Sequence, residues 1–203
     1  GGYSKKILSN KNNKVVALDR DPETLIEAKK LLKKFKGRFR FENEKFSNIN
    51  TLKISDQNIK AIIFDLGYST SQINDFKKGL SFNSKGKLNM RLGKNSISAD
   101  DVINKMSYEN LNKVFKFFGD EPKSKIIARN IIKKRLKKKI LSEDLVNIIE
   151  SVKKKYSKIN KSTKVYQSLR ILVNNEVSQL IFGLINSFKL LPVGGILAVV
   201  TFH

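Results

Sequence analysis

Two aspartates stand where a carboxylate could do binding chemistry. Residues 14–18 (KVVAL) form a short apolar run that stops at Asp19, and residues 59–66 (IKAIIFDL) carry Asp65 near their end. Short apolar runs bounded by turn formers read as buried strands. In open α/β sheets, ligands bind in the crevice beyond the carboxyl ends of the strands. An acid at the end of the second strand is placed to accept both hydroxyls of a nucleoside ribose. The opening Gly1-Gly2 pair is consistent with a glycine turn that lets a cofactor approach the backbone. Each feature also has an ordinary explanation: strand-terminal Asp forms turns or caps helices, and Asp21 reads better as a cap than as a ligand.

The elements that must position these residues follow from the spacing. Asp21 and Pro22 start a helix as N-cap and first helical residue. Leu25, Ala28, Leu31, Leu32 and Phe35 then share one face, and Gly37 ends the helix. Residues 38–41 (RFRF) alternate as a second strand. Residues 59–66 are nearly continuous in apolar residues, as expected for a strand covered on both faces. This rhythm indicates a doubly wound parallel sheet. Residues 74–95, with glycines at 79, 86 and 93, read as a long loop, a class that is often functional.

Residues 99–158 read as helical throughout. Ser107 caps a helix that stops at Gly119, residues 121–138 form a second, and Ser142 caps a third. A long helix at 166–190, a Pro192–Gly195 turn and a final buried strand at 196–202 complete the pattern. The expected organisation is a Rossmann-like domain over 1–97, an all-helical insert over 98–164, and a return to the sheet over 165–203.

Composition narrows the chemistry. The chain of 203 residues has no cysteine, and its one histidine is His203. Cys-based zinc sites and disulfides are therefore excluded within it, and His-based metal or triad chemistry very nearly so. Methylation at carbon-5 of a pyrimidine generally needs a cysteine thiolate, so a methyl acceptor here would be an exocyclic amine or an oxygen. The 41 Lys+Arg against 18 Asp+Glu give a formal charge of +23, which suits a polyanionic partner. Genome bias toward Lys, Asn and Ile explains much of the same excess. No apolar run approaches the roughly 18 residues that span a membrane, and no secretory signal opens the chain, so a cytoplasmic location is expected.

Several segments then become specific. GGYS at 1–4, VVALDRDPETLIEAKKLL at 15–32, IIFDLGYSTSQIND at 62–75 and GLSFNSKGKLNMR at 79–91 are the first. SADDVIN at 98–104, FGDEPKSKIIARNII at 118–132, STKVYQSLRILVNNE at 162–176 and GGILAVVTFH at 194–203 follow. Along essentially its whole length the chain resembles the bacterial ribosomal RNA small-subunit methyltransferase H family (MraW-type).

That resemblance implies a Rossmann-like class I methyltransferase with a helical insert. It further implies S-adenosylmethionine as cofactor and N4 of a cytidine in 16S ribosomal RNA as acceptor. Carried over by position, Gly1, Gly2 and Tyr3 would form the glycine loop, Asp19 would hold the ribose, Phe46 would lie beside the adenine, and Asp65 and Gln72 would complete the cofactor site. The departures are Tyr3 for His, Ser71 for Pro, Lys85 and Asn89 at two Asp positions, Lys87 at a Pro, and Leu191-Pro192-Val193 for Leu-Ala-Pro. The family pattern also has a strand and glycines before GGYS and continues past TFH, so the chain is expected to be a fragment that binds cofactor weakly alone.

No catalytic residue stands out. Asp65, Ser69, Ser71, Gln72 and Asn89 are the polar groups at the expected edge. For RNA, the residues singled out are Arg129, Lys133, Lys134 and Arg135 on one helix, with Lys164 and Arg170 near the return; solvated surface lysines are the plain alternative. Two other classes stay open on the residues alone: a non-catalytic RNA-binding α/β protein and a nicotinamide-dependent oxidoreductase.

Overall fold

Gly1 stands at the N-cap of a short helix, α1 (Gly2–Leu8), so the glycine pair opens a helix and not a turn. The structure, a computed structural model, describes residues 1–54, 59–93, 95–153 and 160–201. The end of the helical stretch expected to residue 158, Lys94 in the expected loop, and Phe202 and His203 lie outside the described residues. The chain divides into two compact units, one of residues 1–66 with 177–203 and one of residues 67–176.

In the first unit, β1 (Val15–Leu18) pairs in parallel with β2 (Phe39–Glu42), with Val15 opposite Phe39 and Leu18 opposite Glu42. The crossover is a short 3-10 turn (Pro22–Thr24) followed by α2 (Leu25–Lys34). Asp21 caps this start as expected: its carboxylate accepts from the Glu23 amide at 3.2 Å. Ala28 and Leu31 bury against Leu8 and Phe39, while Leu25 and Leu32 stay substantially exposed. The expected face is therefore narrower than the periodicity suggested. The Arg38 guanidinium ties down the segment after α1 by donating to the carbonyls of Leu8, Asn10 and Asn13.

A second parallel pair joins β3 (Ala61–Asp65) to β4 (Ile196–Val200), with Asp65 opposite Val200. Phe64 meets Phe46 edge-on at 5.3 Å, and α9 (Glu176–Leu190) packs close by at Gly183. A Cβ on Gly183 would stand 2.8 Å from the Phe46 ring, so only glycine lets the helix come this near.

Three expectations are corrected here. The described strands form two separate two-stranded parallel sheets and not one continuous sheet. β3 buries Ile62 and Phe64 but exposes Ile63, so one face is covered. β4 is largely exposed, with Ile196, Leu197 and Val199 all open to solvent. A strand's apolar run shows what it is suited to bury against; it does not show that a cover is present on both faces.

The second unit is helical: α3 (Thr70–Asn74), α4 (Ala99–Lys105), α5 (Tyr108–Phe117), α6 (Ser124–Arg135), α7 (Ser142–Val152) and α8 (Thr163–Val173). Ser107 caps α5 as expected, accepting from the Asn110 amide. Ser142 does not cap α7. It is the first helical residue, the Asp144 carboxylate accepts from the Leu141 amide instead, and the Ser142 hydroxyl hydrogen-bonds Tyr166 at 2.8 Å. α6 is shorter than the expected 121–138.

The single long helix expected over 166–190 is two helices, because Asn175 is left-handed (φ 50°). Asn174 turns its side chain to the Leu92 amide and the Met90 carbonyl, both at 2.8 Å. The stretch expected as a loop around residue 80 to 92 is irregular in backbone, yet it buries Leu80, Leu88, Met90 and Leu92 in the helical core. Phe115, Ile127, Ile131, Leu145, Ile149 and Leu169 belong to the same core. At Gly119 a Cβ would stand 2.5 Å from the Lys164 carbonyl, so glycine permits the close approach of the α5 end to the start of α8.

Candidate functional site

Asp65 is the last residue of β3, and its side chain is exposed at the carboxyl end of the strand. Gly2, Tyr3 and Lys6 lie on α1, and with Asp65 they line an open depression of about 430 Å³. That size is within the range of small-molecule sites. Lys6 falls one turn after Gly2 and Tyr3, so the three share a helix face. Reading Gly1-Gly2 as a turn concealed that spacing, which is why Lys6 escaped the sequence reading.

The two glycines differ. A Cβ on Gly1 would approach Leu31 to 3.0 Å, so Gly1 serves packing, whereas a Cβ on Gly2 would meet nothing within 4 Å. Among the described residues no side chain fills the space where a Gly2 Cβ would stand. The lining therefore presents bare backbone, a phenol ring, an ammonium and a carboxylate.

The other expected cofactor contacts are engaged locally. One Asp19 carboxylate oxygen accepts from the Asp21 amide at 2.8 Å, and its carbonyl accepts from the Asn43 side chain. Phe46 is half-buried against Phe64 and Gly183. Neither Asp19 nor Phe46 lines the depression. Gln72 belongs to the helical unit, where it is buried: its side chain accepts from the Ser69 amide at 2.9 Å, and Ser69 accepts from the Gln72 amide. That is a reciprocal cap on α3. Of the remaining polar candidates, Ser71 bonds Ser69, and Asn89 accepts from Arg91 at 2.7 Å.

The basic residues separate by partner. Arg129 and Lys133 are exposed on α6. Lys134 and Lys138 both reach one oxygen of the buried Asp144, at 3.2 and 2.8 Å. Burial alone would raise the Asp144 pKa; hydrogen bonds from Lys138, the Leu141 amide and Lys134 outweigh it and hold the carboxyl below its ordinary range. Arg135 donates to the carbonyls of Ile103 and Met106, closing the end of α4. Lys164 donates to the Asp120 carbonyl at 2.7 Å. Arg170 is buried in a two-pronged ion pair with Glu176, at 2.7 and 2.9 Å, and lies over the Tyr68 ring. Asn130, Lys133, Lys134, Lys137, Lys138 and Ile148 line a second open depression of about 410 Å³.

Comparison with known proteins agrees with the motifs. The chain is 36% identical over its whole length to a ribosomal RNA small subunit methyltransferase H of Bartonella bacilliformis, covering 61% of that protein. It is 37% identical to proteins of the same name from Orientia tsutsugamushi (strain Ikeda) and Sinorhizobium fredii, covering 67% and 60% of them. The chain thus spans about three-fifths of the length of most of these relatives. The sequence profile of the MraW methylase family matches residues 1–203. With Asp19 and Asp65 at the ends of their strands and every residue inside that match, the chain belongs to the MraW methylase family.

Proposed function

We propose that the protein carrying this chain transfers a methyl group from S-adenosylmethionine to N4 of a cytidine in small-subunit (16S) ribosomal RNA. The observation that carries this reading is the depression in which Asp65, Tyr3, Lys6 and the open backbone at Gly2 converge, in a chain of a methylase family. We also read the α/β unit as Rossmann-like. Both strand pairs are parallel, and a helix crosses over between β1 and β2.

The lining fits the cofactor by charge. A bound S-adenosylmethionine supplies an electrophilic methyl carbon on a positively charged sulfur. The Asp65 carboxylate favours positive charge in the depression. Lys6 would pair with the carboxylate of the amino-acid end, and the exposed Tyr3 ring would offer a face to pack on. Asp19, steadied by the Asp21 amide, would accept from the ribose hydroxyls, although it does not line the depression.

A cytidine amine is a weak nucleophile because its lone pair is delocalised into the ring. The protein's work is therefore to position it in line and to draw on its hydrogens with acceptor oxygens; the target base must also leave its stack. No general base is required if the proton leaves after transfer. The helical unit is the RNA-recognition unit in this reading. Its candidate contacts are Arg129, Lys133 and Lys134, with Arg135, Lys164 and Arg170 holding the unit's own structure as well.

Calorimetry on the full-length protein tests the reading. S-adenosylmethionine should bind, and Asp65→Ala and Asp19→Ala should each weaken binding by roughly 10-fold or more, as expected for loss of a charge-assisted hydrogen bond. Radiolabelled cofactor should transfer methyl to unmethylated small subunits. Full-length protein that binds no cofactor, or Asp65→Ala binding as wild type does, would sink it.

A further inference from the structure

The cations of α6, the turn after it and α8 fall into two groups with different work to do. Lys134, Lys138 and Lys139 are paired with Asp144 or Asp100, and Arg135, Lys164 and Arg170 are spent on carbonyls or on Glu176. On α6 and in the turn after it, Lys125, Arg129, Lys133 and Lys137 remain. All four are exposed, and among the described residues no ion pair involves them.

Their spacing is four residues throughout. Three lie on α6 and the fourth in the turn that continues it. Residues four apart on a helix lie on one face and advance about 6 Å along its axis. The result is a row of positive charge inclined to the helix axis, and its far end, Lys133 and Lys137, borders the depression that also contains Lys134 and Lys138.

Helix electrostatics explains part of this row but not all of it. Cations in the last turn of α6 are favoured by the helix dipole. Lys125 is in the first turn, where the dipole disfavours a cation, and no acidic residue accompanies it there. The row therefore extends past the end where local stability would place it. A linear array of uncompensated charge suits a linear polyanion.

We infer that Lys125, Arg129, Lys133 and Lys137 form a track for the phosphodiester backbone of the RNA substrate. The inference rests on the reading of this protein as an RNA methyltransferase, and it assigns the contact to phosphates and not to bases. Phosphate contacts fix position and register without reading sequence. The paired cations have a supporting part: Asp144 holds Lys134 and Lys138 at the margin of the track, and Arg135 fixes the end of α6 against α4.

The test is fluorescence anisotropy with the full-length protein and two labelled single-stranded RNA oligonucleotides of unrelated sequence, titrated across salt concentration. The variant carries K125Q, R129Q, K133Q and K137Q together. A control of equal charge loss carries K11Q, K29Q, K33Q and K36Q, at exposed positions of the α/β unit. Because glutamine is a good helix former and the replaced side chains are exposed, helix content by circular dichroism should match wild type, as should S-adenosylmethionine affinity.

The track variant should bind both RNAs at least roughly 10-fold more weakly and lower the magnitude of the salt slope by about 3, from about 0.7 per phosphate contact. The loss should be equal for the two sequences, and replacement of the three lysines by arginine should preserve binding. A track variant no weaker than the control would overturn the inference while leaving the RNA reading intact. A loss confined to one sequence would overturn the assignment to phosphates. Wild-type protein that binds neither RNA in a salt-dependent way would overturn the RNA reading itself.

Discussion

The helical unit closes its core over Phe115, Ile131, Leu145 and Leu169, all fully shielded, and draws Leu88 and Met90 into it from an irregular segment. The α/β unit distributes its apolar residues between two small clusters and leaves Ile63, Phe182, Phe188 and Val199 exposed. The difference is physical. A helix satisfies its own backbone hydrogen bonds and needs one covered stripe, whereas a sheet needs partners at its edges and cover on its faces. The unit that holds the Asp65 depression thus closes its core less completely than the unit that carries the cationic row.

The largest expected effect tests that contrast directly. Ile131→Ala removes a fully buried side chain and should cost about 2–5 kcal/mol. Val199→Ala, on a strand residue that is 45% exposed, should cost less than about 1 kcal/mol. Urea denaturation gives both values, and equal losses would break the comparison. Hydrogen exchange should likewise protect α5 and α8 longer than β4.

The glycines sharpen it. Gly119→Ala places a methyl 2.5 Å from the Lys164 carbonyl and should destabilise by about 1–3 kcal/mol through overpacking. Gly2→Ala meets nothing within 4 Å among the described residues and, within α1, should leave stability unchanged or raise it by up to about 1 kcal/mol. It should nevertheless weaken S-adenosylmethionine binding in the full-length protein. A thermal melt paired with calorimetry separates the two roles; a destabilised Gly2→Ala would show that this glycine also serves packing.

The smallest effect concerns the hydrogen bond between Tyr166 and Ser142 in the helical core. Tyr166→Phe should cost about 1 kcal/mol at neutral pH. Burial pushes the Tyr166 hydroxyl from its ordinary value of 10.0 up to about 12. A pKa raised on folding gives a contribution that is complete below the unfolded value and lost as pH rises through the folded one. Wild-type protein should therefore lose part of its stability between about pH 10 and about pH 12, and the Phe variant should lose less over that interval. Parallel stability curves for the two proteins would contradict a buried, hydrogen-bonded Tyr166.

Much of the local structure was legible because its causes lie within a few residues. Asp21-Pro22 announces the start that the Asp21 carboxylate caps, and Ser107 announces α5. The strand ends at Asp19 and Asp65 were readable for the same reason. The break between α8 and α9 was not legible: the helical periodicity continues through it, and what holds it is Asn174 bonding to residues 82 and 84 positions away. Nor was the core role of Leu80, Leu88 and Met90, since their glycine-rich segment has no period and is ordered by the helices around it.

The same division runs through the site. From sequence alone came the aspartates, the excess of positive charge, the lack of a thiolate and the family motifs, since residue type and order suffice for each. Tertiary structure alone decided that Gly1 packs while Gly2 stays open, that Lys6 joins Asp65, and that the α/β strands form two pairs. It also decided which cations are held by Asp144, Glu176 or carbonyl oxygens and which stay exposed. A side chain's availability depends on neighbours distant in the chain, and local pattern carries no record of them.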